Sequence, residues 1–234
     1  MNIGADLKVH KKTKFKKVYW LLAGLAAVPV ILVLLLLYKP ARYDPLKVTP
    51  AGSEQGQVSP YLTHELLPHL YNGAQRQEPF ELAVSQKGIN EAIALSKWPR
   101  QSNGIMFSVP KVVFAANSIV LMGTTAVDGV EFIVTVELAP ILDEEGLLNL
   151  RVVKVRVGVV NITPLARLIA RKMYLERFGR IDSDTEDLQA RIAASLLNDE
   201  PFEPVFEIDD KKVRVKRITI VQGKLTVRLA PALD

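Results

Sequence analysis

Twenty-one consecutive residues without a charge, Val18 to Tyr38 (VYWLLAGLAAVPVILVLLLLY), constrain this chain more than any other feature. A helix rises 1.5 Å per residue, so about 20 apolar residues cross a hydrocarbon core of about 30 Å. Tyr19 and Trp20 stand at one end and Tyr38 at the other, where interfacial aromatic rings belong. Pro29 in the middle is tolerated in a membrane helix. A cleaved signal peptide is the rival reading, but its apolar region spans about 7–15 residues and ends at a small-residue site. Here the run is longer and continues into KPARYDP without such a site. The expectation is an uncleaved signal-anchor helix over residues 18–38.

Charge sets the expected orientation. Residues 1–39 carry seven lysines against the single acid Asp6, while the remainder holds 23 basic and 24 acidic residues. The pI near 9.3 therefore belongs to a tail and is no nucleic-acid footprint. Six lysines precede the apolar run, so residues 1–17 are expected as a basic cytoplasmic tail and the rest as extracytoplasmic, single-pass in the cell membrane. With no cysteine in the chain, disulfides, thiolate metal sites and cysteine nucleophiles are excluded.

Residues 39–60 carry four prolines and two glycines without apolar periodicity and read as a spacer. Residues 61–234 read as one extracytoplasmic α+β domain. Tyr61–Tyr71 has helical character, FELAVSQ (80–86) alternates as a strand, and KGINEAIALSKW places Ile89, Ala92, Ile93 and Ser96 on one helical face. Strand signals follow at Val112–Ala116 and Ser118–Thr125, with Asp128-Gly129 as a turn before GVEFIVTVELA. That segment puts Val130, Phe132, Val134, Val136 and Leu138 on one face. Leu147–Ile162 reads as a long strand with Val153, Val155, Val157 and Val159 inward. Thr163 is placed to cap, and Pro164 to start, a helix with Leu165, Ile169 and Met173 in one stripe. A further helix is expected from Ser183 or Asp184 to Leu197, and closing strands at Val213–Val221 and Leu225–Leu229. The expected fold is a curved, mostly antiparallel β-meander covered by a few amphipathic helices.

The search for catalytic chemistry is negative. HELLPH (64–69) imitates H-E-x-x-H, but His64 and His69 are five apart, about 140° around a helix, and Pro68 interrupts the turn. Asp143, Glu144, Glu145, Asp209 and Asp210 fall in polar turns, where acids are ordinarily solvated. The basic strip Lys211–Arg217 alternates with Val213 and Val215, as the solvated face of a strand does. Neither an enzyme nor a cofactor is expected, and no nucleic-acid partner.

The order of elements carries a resemblance. FELAVSQKGINEAI, with Ile89-Asn90, is followed by long strands, by VGVVNITPLARLIARKM (157–173), and by a closing strand after Gly223-Lys224-Leu225. Over roughly residues 78–232 this resembles the small membrane-anchored envelope proteins of bacteria related to the tubular lipid-binding (TULIP) superfamily. The resemblance implies a lipid acyl chain held between a concave sheet and a helix, or a part in envelope assembly.

Two functions are therefore expected. One is a membrane-anchored binding protein with an apolar groove lined by Phe132, Val134, Val136, Val153, Val155, Val157, Leu165, Ile169 and Met173. The alternative is a non-catalytic structural or assembly component of an envelope complex, the same residues being simple core. The bilayer is a partner in both, with a lipid or envelope proteins beside it.

Overall fold

The computed structural model describes residues 27–40, 43, 58–76, 78–102, 105–127, 129–178 and 188–232. A π-helical turn, Tyr61–Leu66, runs into α1 (Leu67–Gln75), and Pro68, which has no N–H to donate, sits where the π turn gives way to the α-helix. Strand β1 (Phe80–Ser85) leads into α2 (Gln86–Leu95), capped by Ser85, whose Oγ accepts from Gly88 N at 3.0 Å. The large sheet then forms from β2 (Arg100–Ser102), β3 (Ile105–Phe107), β4 (Lys111–Ala115), β5 (Ser118–Val127), β6 (Val130–Leu142), β7 (Leu148–Val157) and β8 (Val160–Asn161). Helices α3 (Thr163–Phe178) and α4 (Leu188–Asn198) follow, and β9 (Val205–Ile208), β10 (Lys211–Val221) and β11 (Lys224–Pro231) close the chain.

The chain is α+β with antiparallel sheets, and the strands divide between two of them. One has the order β1-β11-β10-β9; the other runs β2-β3-β5-β6-β7-β8, with β4 also on β5. A simple meander would have kept β1 beside its sequence neighbours; instead all six residues of β1 pair with β11 at the opposite end of the sequence. The core lies between the sheets and under α2, where Val84, Val112, Phe114 and Ile220 are buried with Ile89 and Ile93 against them.

Edge strands need partners for their outward backbone groups. On β4 these come from α2: Asn90 donates through Nδ2 to Val112 O (2.7 Å) and accepts through Oδ1 from Val112 N (2.7 Å). Gln86 Oε1 accepts from Phe114 N at 2.8 Å. Gly223 N, in the β10–β11 turn, donates to Phe114 O and joins the small sheet to the same edge.

Two expectations meet a different outcome. Leu147–Ile162 is not one strand: Gly158, at φ +58°, turns the chain into a β7–β8 hairpin. The positive φ and the lack of a Cβ favour glycine there. In the spacer, Tyr43 is only 4% exposed and packs on Met122 and Ile133. Its hydroxyl accepts from Thr124 N (3.1 Å) and donates to Val109 O (3.1 Å). Residues 41–42 and 44–57 lie outside the described residues. Among the described residues no helix is long and apolar enough to cross a membrane. The expected span is described only from residue 27, with 27–36 helical, and residues 18–26 lie outside the description.

Candidate functional site

A cavity of about 330 Å³ lies between the large sheet and the helices α3 and α4. The sheet supplies Leu121, Val136, Leu138, Val152 and Val155. Register explains this set: Leu121 pairs with Val136 and Val136 with Val155, and directly paired residues of antiparallel strands share a face. Between β6 and β7 the register slips, Glu137 facing Lys154 and Leu138 facing Val152. Val153 is the extra residue of this bulge. The slip turns Val153 outward, 45% exposed, and brings Val152 onto the cavity face beside Leu138.

The helical wall is built from small residues. Ala166 and Ala170, one turn apart on α3, face the sheet, with Leu196 and Leu197 of α4 beside them. Arg167 and Asp199 are the charged groups of the lining. Because alanine ends at Cβ, the helix backbone can sit at ordinary distance from the sheet without filling the space between.

Both helices are fixed to the outer edge of β7 by side chains that take the place of a neighbouring strand. Ser195, fully buried, accepts through Oγ from Leu150 N at 2.8 Å. Arg167 Nη2 donates to Val152 O at 3.2 Å, and Thr163 Oγ1 accepts from Val155 N at 2.9 Å. Thr163 therefore does not cap by its hydroxyl as expected. Asn161 Oδ1 accepts from Thr163 N (3.0 Å), and the helical ladder begins with Ala166 N on Ile162 O (2.8 Å). At the far end Tyr174 donates its hydroxyl to Glu200 Oε2 at 2.8 Å, which holds the phenol protonated and raises its pKa above the usual 10.

Of the expected lining, Val136 and Val155 face the cavity. Phe132, Val134 and Val157 occupy the same sheet face, half-buried, nearer the β5–β6 turn. Val153, Leu165, Ile169 and Met173 are exposed and do not join them. The expectation for α3 is inverted, its large apolar residues pointing out and its alanines in. Alternation had already put Leu138 on this face, but it overlooked Val152 because a bulge leaves no clear mark in the sequence. Ala166 and Ala170 did carry a signal, a pair of small residues at helical spacing.

His64 and His69 are exposed, and His64 Nδ1 lies 3.2 Å from Pro60 O in its own helix. Asp143 Oδ1 accepts from Leu147 N at 2.8 Å, closing the β6–β7 turn. Asp209 lies in the β9–β10 turn and raises the pKa of Tyr71 by hydrogen bonding. Among the described residues no group of three His, Asp or Glu side chains is placed to hold a metal ion.

Fold and site together define an α+β chain with an apolar, alanine-walled cavity between an antiparallel sheet and two helices. Comparison with protein-family models, with curated proteins and with solved structures finds no match.

Proposed function

We propose that the protein is a single-pass, membrane-anchored binding module of the bacterial envelope that holds an apolar ligand, a lipid acyl chain, between its large sheet and α3. In this reading residues 18–38 cross the membrane, residues 1–17 stay in the cytoplasm and the α+β domain lies outside. The observation that carries it is the cavity, whose roughly 330 Å³ falls in the range of small-molecule sites. The recess is open to solvent on one side, and its apolar walls offer surface that an apolar chain entering from there would cover. The lining is aliphatic apart from Arg167 and Asp199, which suits a chain with a polar end. A lipid between sheet and helix is also what the resemblance to TULIP-related envelope proteins implies. Among the described residues the charged groups of the lining are Arg167 and Asp199, and binding is the role proposed.

The test is native mass spectrometry of the full-length protein released from mild detergent, with lipid extraction of the same sample. A bound lipid mass, exchangeable for an added fluorescent fatty acid, is the expected result. Protein that carries no lipid and takes up no fatty acid overturns the reading.

A further inference from the structure

Helix α3 wears its amphipathicity inside out. Leu165, Leu168, Ile169, Met173 and Leu175 are between 50% and 69% exposed, while the sheet-facing side holds Ala166 and Ala170. At 100° per residue those five side chains share one face about 160° wide, with the Lys172–Glu176 pair near its middle. Burying an apolar side chain of this size stabilises by about 1.5–3 kcal/mol, so a helix serving only its own core would turn the stripe inward.

The position of this face in the fold says what covers it. The helical segment 27–36, end of the long apolar run, meets the domain at the β7–β8 turn just ahead of α3. Val159 N donates to Leu35 O at 3.1 Å, completing one of the carbonyls left open at a helix end. A Cβ on Gly158 would stand 2.3 Å from Leu35 O, so the two backbones touch. At the end of the large sheet beside this junction, Phe107, Val127 and Val130 share one face and Val159 sits in the adjoining turn, each 40–43% exposed. Clustered exposed apolar side chains mark an interaction surface rather than a solvated one. Arg171 borders this face of α3 and Lys172 lies on it, its charge shared with Glu176 at 3.8 Å. Leucines and a methionine around one lysine and beside an arginine suit a helix lying in an anionic membrane surface.

We propose that the outer face of α3, with the apolar end of the large sheet, rests on the anionic bilayer into which residues 18–38 insert. The domain then lies against the membrane, and α3 separates the lipid headgroups from the cavity by one helix thickness. This rests on the anchor reading and not on the ligand reading of the cavity.

The chain has no cysteine, so single labels can be placed without background. Full-length protein labelled with bimane at Leu168, Ile169, Ile141 or Leu32 is reconstituted in nanodiscs of phosphatidylglycerol and phosphatidylcholine carrying a doxyl quencher on the acyl chain. Labels at 168 and 169 are expected to lose more than about half their fluorescence, as side chains buried at the headgroup–acyl boundary would. The label at Ile141, exposed at the other end of β6, is expected to keep its signal. Reversing charge with Arg171→Glu and Lys172→Glu is expected to relieve quenching at 168 and leave it unchanged at Leu32. Quenching at Leu32 without quenching at 168 and 169 overturns the docking of α3 alone, and so does a crosslink from 168 to a second copy. Failure of quenching at Leu32 overturns the anchor and the docking together.

Discussion

Replacing Ala170 by leucine tests whether the space behind α3 is real. Leucine adds three carbons to a side chain that already points toward Val136, Val152 and Val155. At about 0.8 kcal/mol per buried methylene the gross gain is roughly 2.4 kcal/mol. Leucine loses about 0.5–1 kcal/mol of rotamer entropy on burial, leaving a net stabilisation of about 1–2 kcal/mol. For a domain of this size each kcal/mol moves Tm by roughly 2–4 °C, so a rise of about 3–8 °C is expected. The assay is thermal unfolding of the full chain in detergent, followed by near-UV circular dichroism, with added fatty acid measured on the same samples. Uptake is expected to fall as Tm rises, because side chain and ligand compete for one volume. Leu168→Ala on the outer face serves as control and is expected within about 0.5 kcal/mol of the parent in detergent. A fall in Tm for Ala170→Leu would refute the reasoning, since overpacking an already filled core costs about 1–3 kcal/mol.

Asn90→Ala removes both partners of the Val112 backbone groups on the β4 edge. Each buried group left unsatisfied costs about 1–3 kcal/mol, so denaturant titration is expected to show a loss of about 2–6 kcal/mol. A value under about 0.5 kcal/mol would mean that water replaces the amide. Gly158→Val places a side chain against the Leu35 and Leu36 carbonyls at a positive φ. The left-handed conformation alone costs a side-chain-bearing residue about 1–2 kcal/mol, and the contact must open as well. Spin labels at Leu37 and Val160 are expected to give a longer, broader distance distribution in the variant, and an unchanged one would contradict the junction described. For Tyr174 the sign follows from its raised folded-state pKa. Its bond to Glu200 contributes stability fully below the ordinary pKa of about 10, and that contribution disappears as pH rises through the higher folded value. Tyr174→Phe is therefore expected to flatten the alkaline limb of a Tm-against-pH curve above about pH 10 and to leave its acid limb unchanged.

Local physics made much of this chain legible in advance. The 21-residue apolar run, the lysine asymmetry around it, and most strands and helices of residues 61–234 follow from composition and periodicity, which each short stretch carries within itself. The α+β class follows from their mixed order. What sequence alone left undecided are the places where distant segments meet. Pairing of β1 with β11 joins Phe80–Ser85 to Lys224–Leu229 and divides the expected meander into two sheets. Nothing in either strand names its partner, because backbone hydrogen bonds are chemically alike. The bulge at Val153 exchanges that side chain for Val152 on the cavity face, and a one-residue slip costs too little locally to leave a clear mark. Which side of α3 faces the sheet was likewise undecided. Periodicity places Leu165, Ile169 and Met173 on one stripe, but it is blind to direction. The anchoring of Thr163 to Val155 and of Arg167 to Val152 turns the stripe outward and leaves alanines to wall a cavity. Sequence determined that this chain has an apolar stripe and a valine-rich sheet; tertiary hydrogen bonds decided that they do not face each other.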